Sequence, residues 1–420
     1  MTSRSAAVPS VLWVWIYLPA NTNPVLCGRF VHEATAAGKA VGSFVYGKSY
    51  LGRTDALPID PILLPLEETK FQTTALSGWF SALLDAGPDA WGKRIIDKAI
   101  GPQDQRGYLL NAMGQAVGAL SFSADRDEQP MQALPATPGT LAETLRLHGR
   151  VEAGEQLTEE ESRKLLGEAG SGGARPKLTL EDDERLWLVK GVSIRDSKEL
   201  APVPSVEGAL LTAANACDIA VPAHRVIQIG GQPAVLVERF DRTRIEGGFA
   251  RWRYASAQTI FWSKPEVAKY SFQGSYTNLA RQLRVWENRP TKSVRELYRR
   301  VVFNALVGNT DDHDKNHGVI AGTADDFTLA PAFDLTICAR PGTGNQLAMS
   351  FGTSGARIDL ENLVSESEVF GYSKVEAADV VHTQWTLINE RLMALIIANG
   401  SSEEAAARTC ALMPGKSLFS

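Results

Sequence analysis

Between Asp311 and His317 the chain reads D-D-H-D-K-N-H: three aspartates, two histidines, a lysine and an asparagine with nothing apolar among them. Within this run Asp311 and Asn316 hold the spacing D-x-x-x-x-N. Phosphoryl-transfer loops use that spacing, the carboxylate accepting a hydroxyl proton while the amide oxygen helps to hold a magnesium ion. After Asn316 the segments HGVI, AGTADD and FTLAPAFD predict a hairpin that returns Asp334 to the loop, where a second acid would share the metal. Taken alone, the spacing also suits a solvated acidic loop.

Three upstream features extend the pattern. Lys190 lies in LWLVKG, an apolar strand in which a lysine needs an anionic partner or must reach water from the strand end. Seventeen residues later Glu207 opens the helix SVEGALLTAANACDI, placed either to pair with Lys190 or to stabilise the helix dipole. Ahead of both, AGSGGARPK offers Ser171, Gly172 and Gly173 with the cations Arg175 and Lys177. Glycines let backbone N–H groups approach phosphates, although a flexible linker has the same composition. In chain order these are a glycine loop, a strand lysine, a helix glutamate, D-x-x-x-x-N and an aspartate, which is a phosphoryl-transfer order.

The elements that must position these groups are legible from pattern. VLWVWIYLPA, PVLCGRFVHE and VGSFVYGKSYL predict three early strands, the first preferred over a signal-peptide core because of its aromatic and β-branched content. GWFSALLDAGPDAWGKRIIDKAI predicts a helix broken at Gly87-Pro88 and restarted near Asp89. ALSFSAD predicts a further strand, residues 126–139 a linker, and EEESRKLLGEAG a short helix. Strand signals then dominate to about Ala255, and helices follow. In VRELYRRVVFNALVG, Leu297, Val301, Val302, Ala305 and Leu306 share one face and Gly308 is a stop, so the acidic loop follows a buried helix.

The bulk numbers set limits. With 420 residues, two or three domains are expected. The chain is 44% hydrophobic and 22% charged, the balance of a soluble globular protein. A net charge of −5 argues against a broad nucleic-acid-coating surface. Four scattered cysteines without a CxxC pair predict neither a disulfide framework nor a zinc site, and suit a reducing cytosol. No run approaches the length of a membrane span.

GGARPK, SVEGALLTAANACDIAVP, VLVERFDR, NTDDHDKNHGVI and LAPAFDL resemble successive motifs of the HipA family of bacterial toxin kinases. VWIYLP, VLCGRF, FVYGKSYL and PDAWGKR resemble that family's N-terminal subdomain, so the likeness spans roughly residues 11–400. The resemblance implies an α+β, two-lobed, protein-kinase-like fold. Residues 1–130 would be the extra N-terminal subdomain, 131–255 a β-rich lobe with glycine-rich loop and hinge, and 256–420 an all-helical lobe with the catalytic loop.

It also implies roles: Asp311 as base, Asn316 and Asp334 as magnesium ligands, and Lys190, paired by Glu207, as the phosphate-binding lysine. Gly172, Gly173 and Lys177 would meet the phosphates, and Val237, Glu238 and Phe240 would form the hinge at adenine. Lys315 would face the γ-phosphate, and His313 would orient the loop; Asp312, Asp314 and His317 are left as loop-shaping or solvated. ERFDR also offers a strand-end charge pair, Glu238 with Arg239 or Arg242. The family pattern carries a self-phosphorylated serine seven residues before the loop lysine; here that place is Gly170, and Ser171 is one position off. The implied activity is that of an ATP- and Mg2+-dependent serine/threonine kinase acting on a translation factor such as an aminoacyl-tRNA synthetase. The implied partner is a HipB-like helix-turn-helix antitoxin on operator DNA. A small-molecule phosphotransferase and a catalytically idle corepressor stand as alternatives.

Overall fold

Side chains alternate between faces along the first strand, β1 (Ser10–Ile16): Leu12, Val14 and Ile16 are buried while Val11 and Trp13 stay partly open. The computed structural model of the chain describes residues 10–34, 39–167, 175–263, 274–322, 326–338 and 345–419. It divides into two compact units, the first drawn from residues 1–186, 241–255 and 320–325, the second from 187–240, 256–319 and 326–420.

In the first unit β1 joins β2 (Val25–Ala34), β3 (Ala40–Tyr46), β4 (Phe71–Thr73) and β5 (Leu120–Ser123) in an antiparallel sheet of order β4-β3-β2-β1-β5. A register shift between Val14 and Trp15 marks a bulge in β1. Phe30, Phe44, Trp79 and Phe80 fill the core on one face. Close packing there depends on Gly42, where an added Cβ would stand 2.0 Å from the Gly78 carbonyl oxygen. The predicted break at Gly87-Pro88 is present: a short helix ends at Asp85 and α1 (Ala90–Ile100) begins after Asp89. Its Trp91, Ile95 and Ile96 form a second core with Leu147 and Val151 of α2 (Leu141–Glu152) and Leu165 of α3 (Glu159–Leu166). Thr158 and Glu161 close a reciprocal capping box on α3. β6 (Lys177–Asp182) opens with Lys177, which is buried.

The guanidinium of Arg242 pairs with Asp241 and donates to the Ala116 and Gly118 carbonyls at 2.9 and 3.1 Å. The Asp241 carboxylate accepts the Gly118 N–H at 2.8 Å. Both the Asp241 and Arg242 side chains are almost fully enclosed, so each needs close partners.

In the second unit β7 (Arg185–Lys190) pairs antiparallel with β9 (Gln232–Glu238), and β8 (His224–Ile229) pairs with the other edge of β9. Between β7 and β8 runs α4 (Val203–Ala216), packed on β8 and β9. α5 (Tyr276–Trp286), α6 (Pro290–Val307) and α7 (Lys374–Ala398) complete the frame, α7 lying against α4 and α6. α6 buries Leu297, Val301, Val302, Ala305 and Leu306 as its periodicity predicts. It stops at Gly308, whose φ of 77° is left-handed and whose added Cβ would meet Pro414 at 2.8 Å. The expected return after the acidic loop is also present: short strands cover Gly318–Ala321 and Thr328–Leu329, and the Ala330 N–H donates to the Gly318 carbonyl at 2.8 Å. The strands bearing Lys190, Val237 and Glu238 and the helix bearing Glu207 thus share one unit with the helices from 256 onward. Among the described residues no helix is long and apolar enough to cross a membrane.

Glu287, just past α5, is only 6% exposed, and burial pushes its carboxyl up to about 7, partly offset by the Ser293 hydroxyl and Leu329 amide. Because the folded form holds this proton more tightly than the unfolded chain, the contribution to stability is full below about 4.5 and is lost as pH rises to about 7. Glu287→Gln should therefore match the wild type near pH 4.5 and exceed it by a growing margin up to pH 7, with a plateau beyond. Urea denaturation across that range measures the difference; a constant offset would refute the assignment.

Candidate active site

Lys190 closes β7 opposite Val235 of β9, with its side chain 8% exposed. Its ammonium lies 2.6 Å from Oε1 of Glu207 and 2.8 Å from Oδ1 of Asp334. Glu207 reaches it from the buried face of α4, among Val206, Leu210 and Leu211. Burial alone would lower the lysine's pKa; the charges of Asp334 and then Glu207 outweigh it and hold the ammonium well above its usual range. Asp334 takes a φ of 59°, a left-handed conformation that costs an L-residue roughly 1 kcal/mol or more. The Asp334–Lys190 contact helps to retain it there.

The loop after α6 sorts its side chains by side. Asp311, His313 and Lys315 are exposed, whereas Asp312, Asn316 and His317 are buried. The His313 N–H donates to the Asp311 carbonyl at 2.8 Å, and the Asn316 N–H to the His313 carbonyl at 2.9 Å. Nδ1 of His313 accepts the Lys315 N–H at 3.2 Å, and Nδ2 of Asn316 donates to the Asp311 carbonyl at 3.3 Å. Burial raises the pKa of Asp314.

Beneath the loop, Oδ2 of Asp312 accepts from Nδ2 of Asn304 at 2.7 Å, from Nε2 of His317 at 2.7 Å and from the Tyr276 hydroxyl. Burial, then the charge of Asp312, raises the tyrosine's pKa well above its normal value. Of the two readings the sequence leaves for Asp312 and His317, loop-shaping or solvated, their burial and bonds fit the first, whereas Tyr276 and Asn304 are not singled out by the sequence. One signal was readable: Asn304 is a lone amide on the otherwise apolar stripe of α6.

Val237 and Glu238 end β9 opposite Leu188 and Trp187, and the Glu238 N–H is taken by the Ala223 carbonyl at 2.8 Å. The Phe240 ring sits 5.6 Å from that of Phe333, the residue before Asp334. Asn316 and the two neighbours of Asp334, Phe333 and Leu335, line a common pocket with Asp312 and His317. An amide oxygen and a partly exposed carboxylate on converging segments are hard donors that suit magnesium, which takes few protein ligands and keeps its waters. Lys177 belongs to the other unit. Gly172, Gly173 and Ser171 lie outside the described residues.

This arrangement, a buried lysine shared by two carboxylates beside a D-x-x-x-x-N loop, has a known context. The HipA-like C-terminal domain matches residues 169–399, and the chain belongs to that family. Two Sinorhizobium fredii proteins are similar. One named "Putative kinase Y4mE" is 26% identical over 77% of this chain and 79% of its own length. Another named "Putative kinase Y4dM" is 32% identical over 64% of each. Among solved structures, HipA of Shewanella oneidensis MR-1, in a toxin–antitoxin complex with HipB and operator DNA, aligns over 96% of this chain and 95% of its own. The TM-score is 0.64 at 18% identity. The fold is accordingly the α+β fold of HipA.

Removing either carboxylate from Lys190 should reveal the difference in their burial. Glu207→Ala leaves an enclosed lysine short of a partner and should cost about 3 kcal/mol, the scale for breaking a buried pair. Asp334→Ala should cost clearly less, because the Asp334 side chain is 45% exposed against 5% for Glu207 and the change also relieves part of a solvent-screened contact. Chemical denaturation of both variants checks the order, and equal losses would contradict it.

Proposed function

We propose that the chain is an ATP- and magnesium-dependent kinase that phosphorylates serine or threonine in a protein, and that it acts as a HipA-type toxin. The observation carrying this reading is the pairing of Lys190 with both Glu207 and Asp334 at 2.6 and 2.8 Å in the same unit as the 311–317 loop. The family membership and the kinase names of the two relatives support it.

In this reading the exposed Asp311 takes the proton of an incoming hydroxyl as its oxygen attacks the γ-phosphorus of ATP. The bond from that phosphorus to the β–γ bridging oxygen breaks, and ADP leaves. Lys190, kept charged by its two carboxylates, holds phosphate oxygens. Asn316 and Asp334 would hold magnesium, which when bound neutralises phosphate charge. His313 fixes the turn that carries Asp311 by accepting the Lys315 N–H, and Lys315 would face the γ-phosphate, as the resemblance implies. Since the Glu238 N–H is already engaged, adenine would be met by the other backbone groups of Val237, Glu238 and Phe240. Gly172, Gly173 and Lys177 are assigned to the phosphates on the resemblance alone; Ser171, one position off the family's phosphorylated serine, is the candidate for self-phosphorylation.

The HipB and operator DNA of the Shewanella complex suggest a helix-turn-helix antitoxin as partner. A translation factor, an aminoacyl-tRNA synthetase being the favoured kind, is the proposed target. Asp311→Ala should retain fold and nucleotide binding while lowering phosphate transfer by roughly 10²–10⁴-fold. Asp334→Asn or EDTA should instead weaken ATP binding itself, because phosphate charge is then poorly neutralised. Calorimetric ATP titration with transfer from labelled ATP tests both. Metal-independent ATP binding, or an undiminished Asp311→Ala rate, would overturn the assignment.

A further inference from the structure

We infer that Asp312 is a positioning residue, whose buried carboxylate clamps the loop between Asp311 and Asn316 at the spacing phosphate transfer needs. This rests on the kinase reading above. Asp312 is 1% exposed, and one of its oxygens, Oδ2, receives three donors: Asn304, His317 and Tyr276. An oxygen so occupied and enclosed cannot meet an incoming hydroxyl, so Asp312 does not compete with Asp311 for the role of base.

The three donors arrive from different directions. Asn304 belongs to the last turn of α6, and its own Oδ1 accepts from Nδ2 of Asn309 at 3.1 Å. Tyr276 opens α5 and is anchored by its N–H to the Ser350 carbonyl at 2.9 Å. His317 ends the loop, and its carbonyl accepts the Ala257 N–H at 2.8 Å. The side-chain bond from Asp312 to His317 therefore closes the loop as a ring, with both ends tied to the helical frame. Asp311 immediately precedes one end of this ring, and Asn316 immediately precedes the other.

Enclosing a carboxylate is costly unless it finds partners, and the three donors on Oδ2 of Asp312 both meet that cost and fix its direction. Without them, the turn would be held chiefly by its internal contacts, among them the 3.3 Å bond from Asn316 to the Asp311 carbonyl and the 3.2 Å bond from Lys315 to His313. The spacing of base and metal-holding amide would then relax. Lys190 and Glu207 are not joined to Asp312 by any of these bonds, so nucleotide affinity should be less affected than turnover.

The test compares Asp312→Ala, Asp312→Asn and Tyr276→Phe with the wild type, using labelled ATP with casein as acceptor. Asp312→Ala should lower kcat by roughly 10²-fold, the scale for a misplacement of about 1 Å, with KM for ATP changed by less than about threefold. Asp312→Asn, which can still offer one oxygen to the donors, should recover part of that loss. Tyr276→Phe removes a single donor and should lower kcat by roughly tenfold with little change in melting temperature. Folded variants with wild-type kcat, or a loss that falls on KM for ATP while kcat is unchanged, would overturn the inference. If Asp312→Ala does not fold, an unchanged kcat in Tyr276→Phe and Asp312→Asn does so equally. A wild-type chain that transfers phosphate neither to casein nor to itself would instead overturn the kinase reading on which the inference rests.

Discussion

The contact on which this site depends is the ammonium of Lys190 held between Glu207 and Asp334. A lysine at the end of an apolar strand is unfavourable by itself, and burial would push it toward its neutral form. Two carboxylates reverse that preference. They come from unlike elements, one from the buried face of α4 and one from the segment that returns after the acidic loop. A single charge therefore ties a strand, a helix and a loop together at one point.

The loop of 311–317 solves a different problem, that of holding several polar groups still while leaving three of them facing outward. It does so by dividing its side chains between two sides. Outward go Asp311, His313 and Lys315; inward go Asp312, Asn316 and His317, with Asp312 bonded to His317 and to partners on α5 and α6. Rigid helices thereby supply the precision that a loop lacks by itself. Gly308 makes this possible, because the chain must turn sharply out of α6 close beside Pro414.

Local pattern carried much of this in the sequence. The apolar stripe of α6, its glycine stop, the break at Gly87-Pro88 and the strand character around Lys190 all depend on neighbours within a few residues, and all are present. The return that brings Asp334 to Lys190 was legible because a polar turn separates two short strand signals. Choices among distant partners were not. Asp312 is joined to Tyr276 across 36 positions, and nothing near either residue announces the other. Arg242 donates to the carbonyls of Ala116 and Gly118, more than a hundred residues upstream, and no local pattern announces them. α2 was not legible because Leu147 and Val151 are interleaved with polar residues, and their burial depends on α1 and α3.

The left-handed backbone of Asp334 has an evolutionary side. At such a position glycine and asparagine are the residues that fit with least strain. Either would ease the main chain and remove the charge, while Lys190 would keep Glu207 as its counter-ion. In the proposed kinase, folding and chemistry would thus select in opposite directions at one codon. A lineage released from the need for this carboxylate could lose it with little harm to the fold, leaving an intact scaffold available for binding alone.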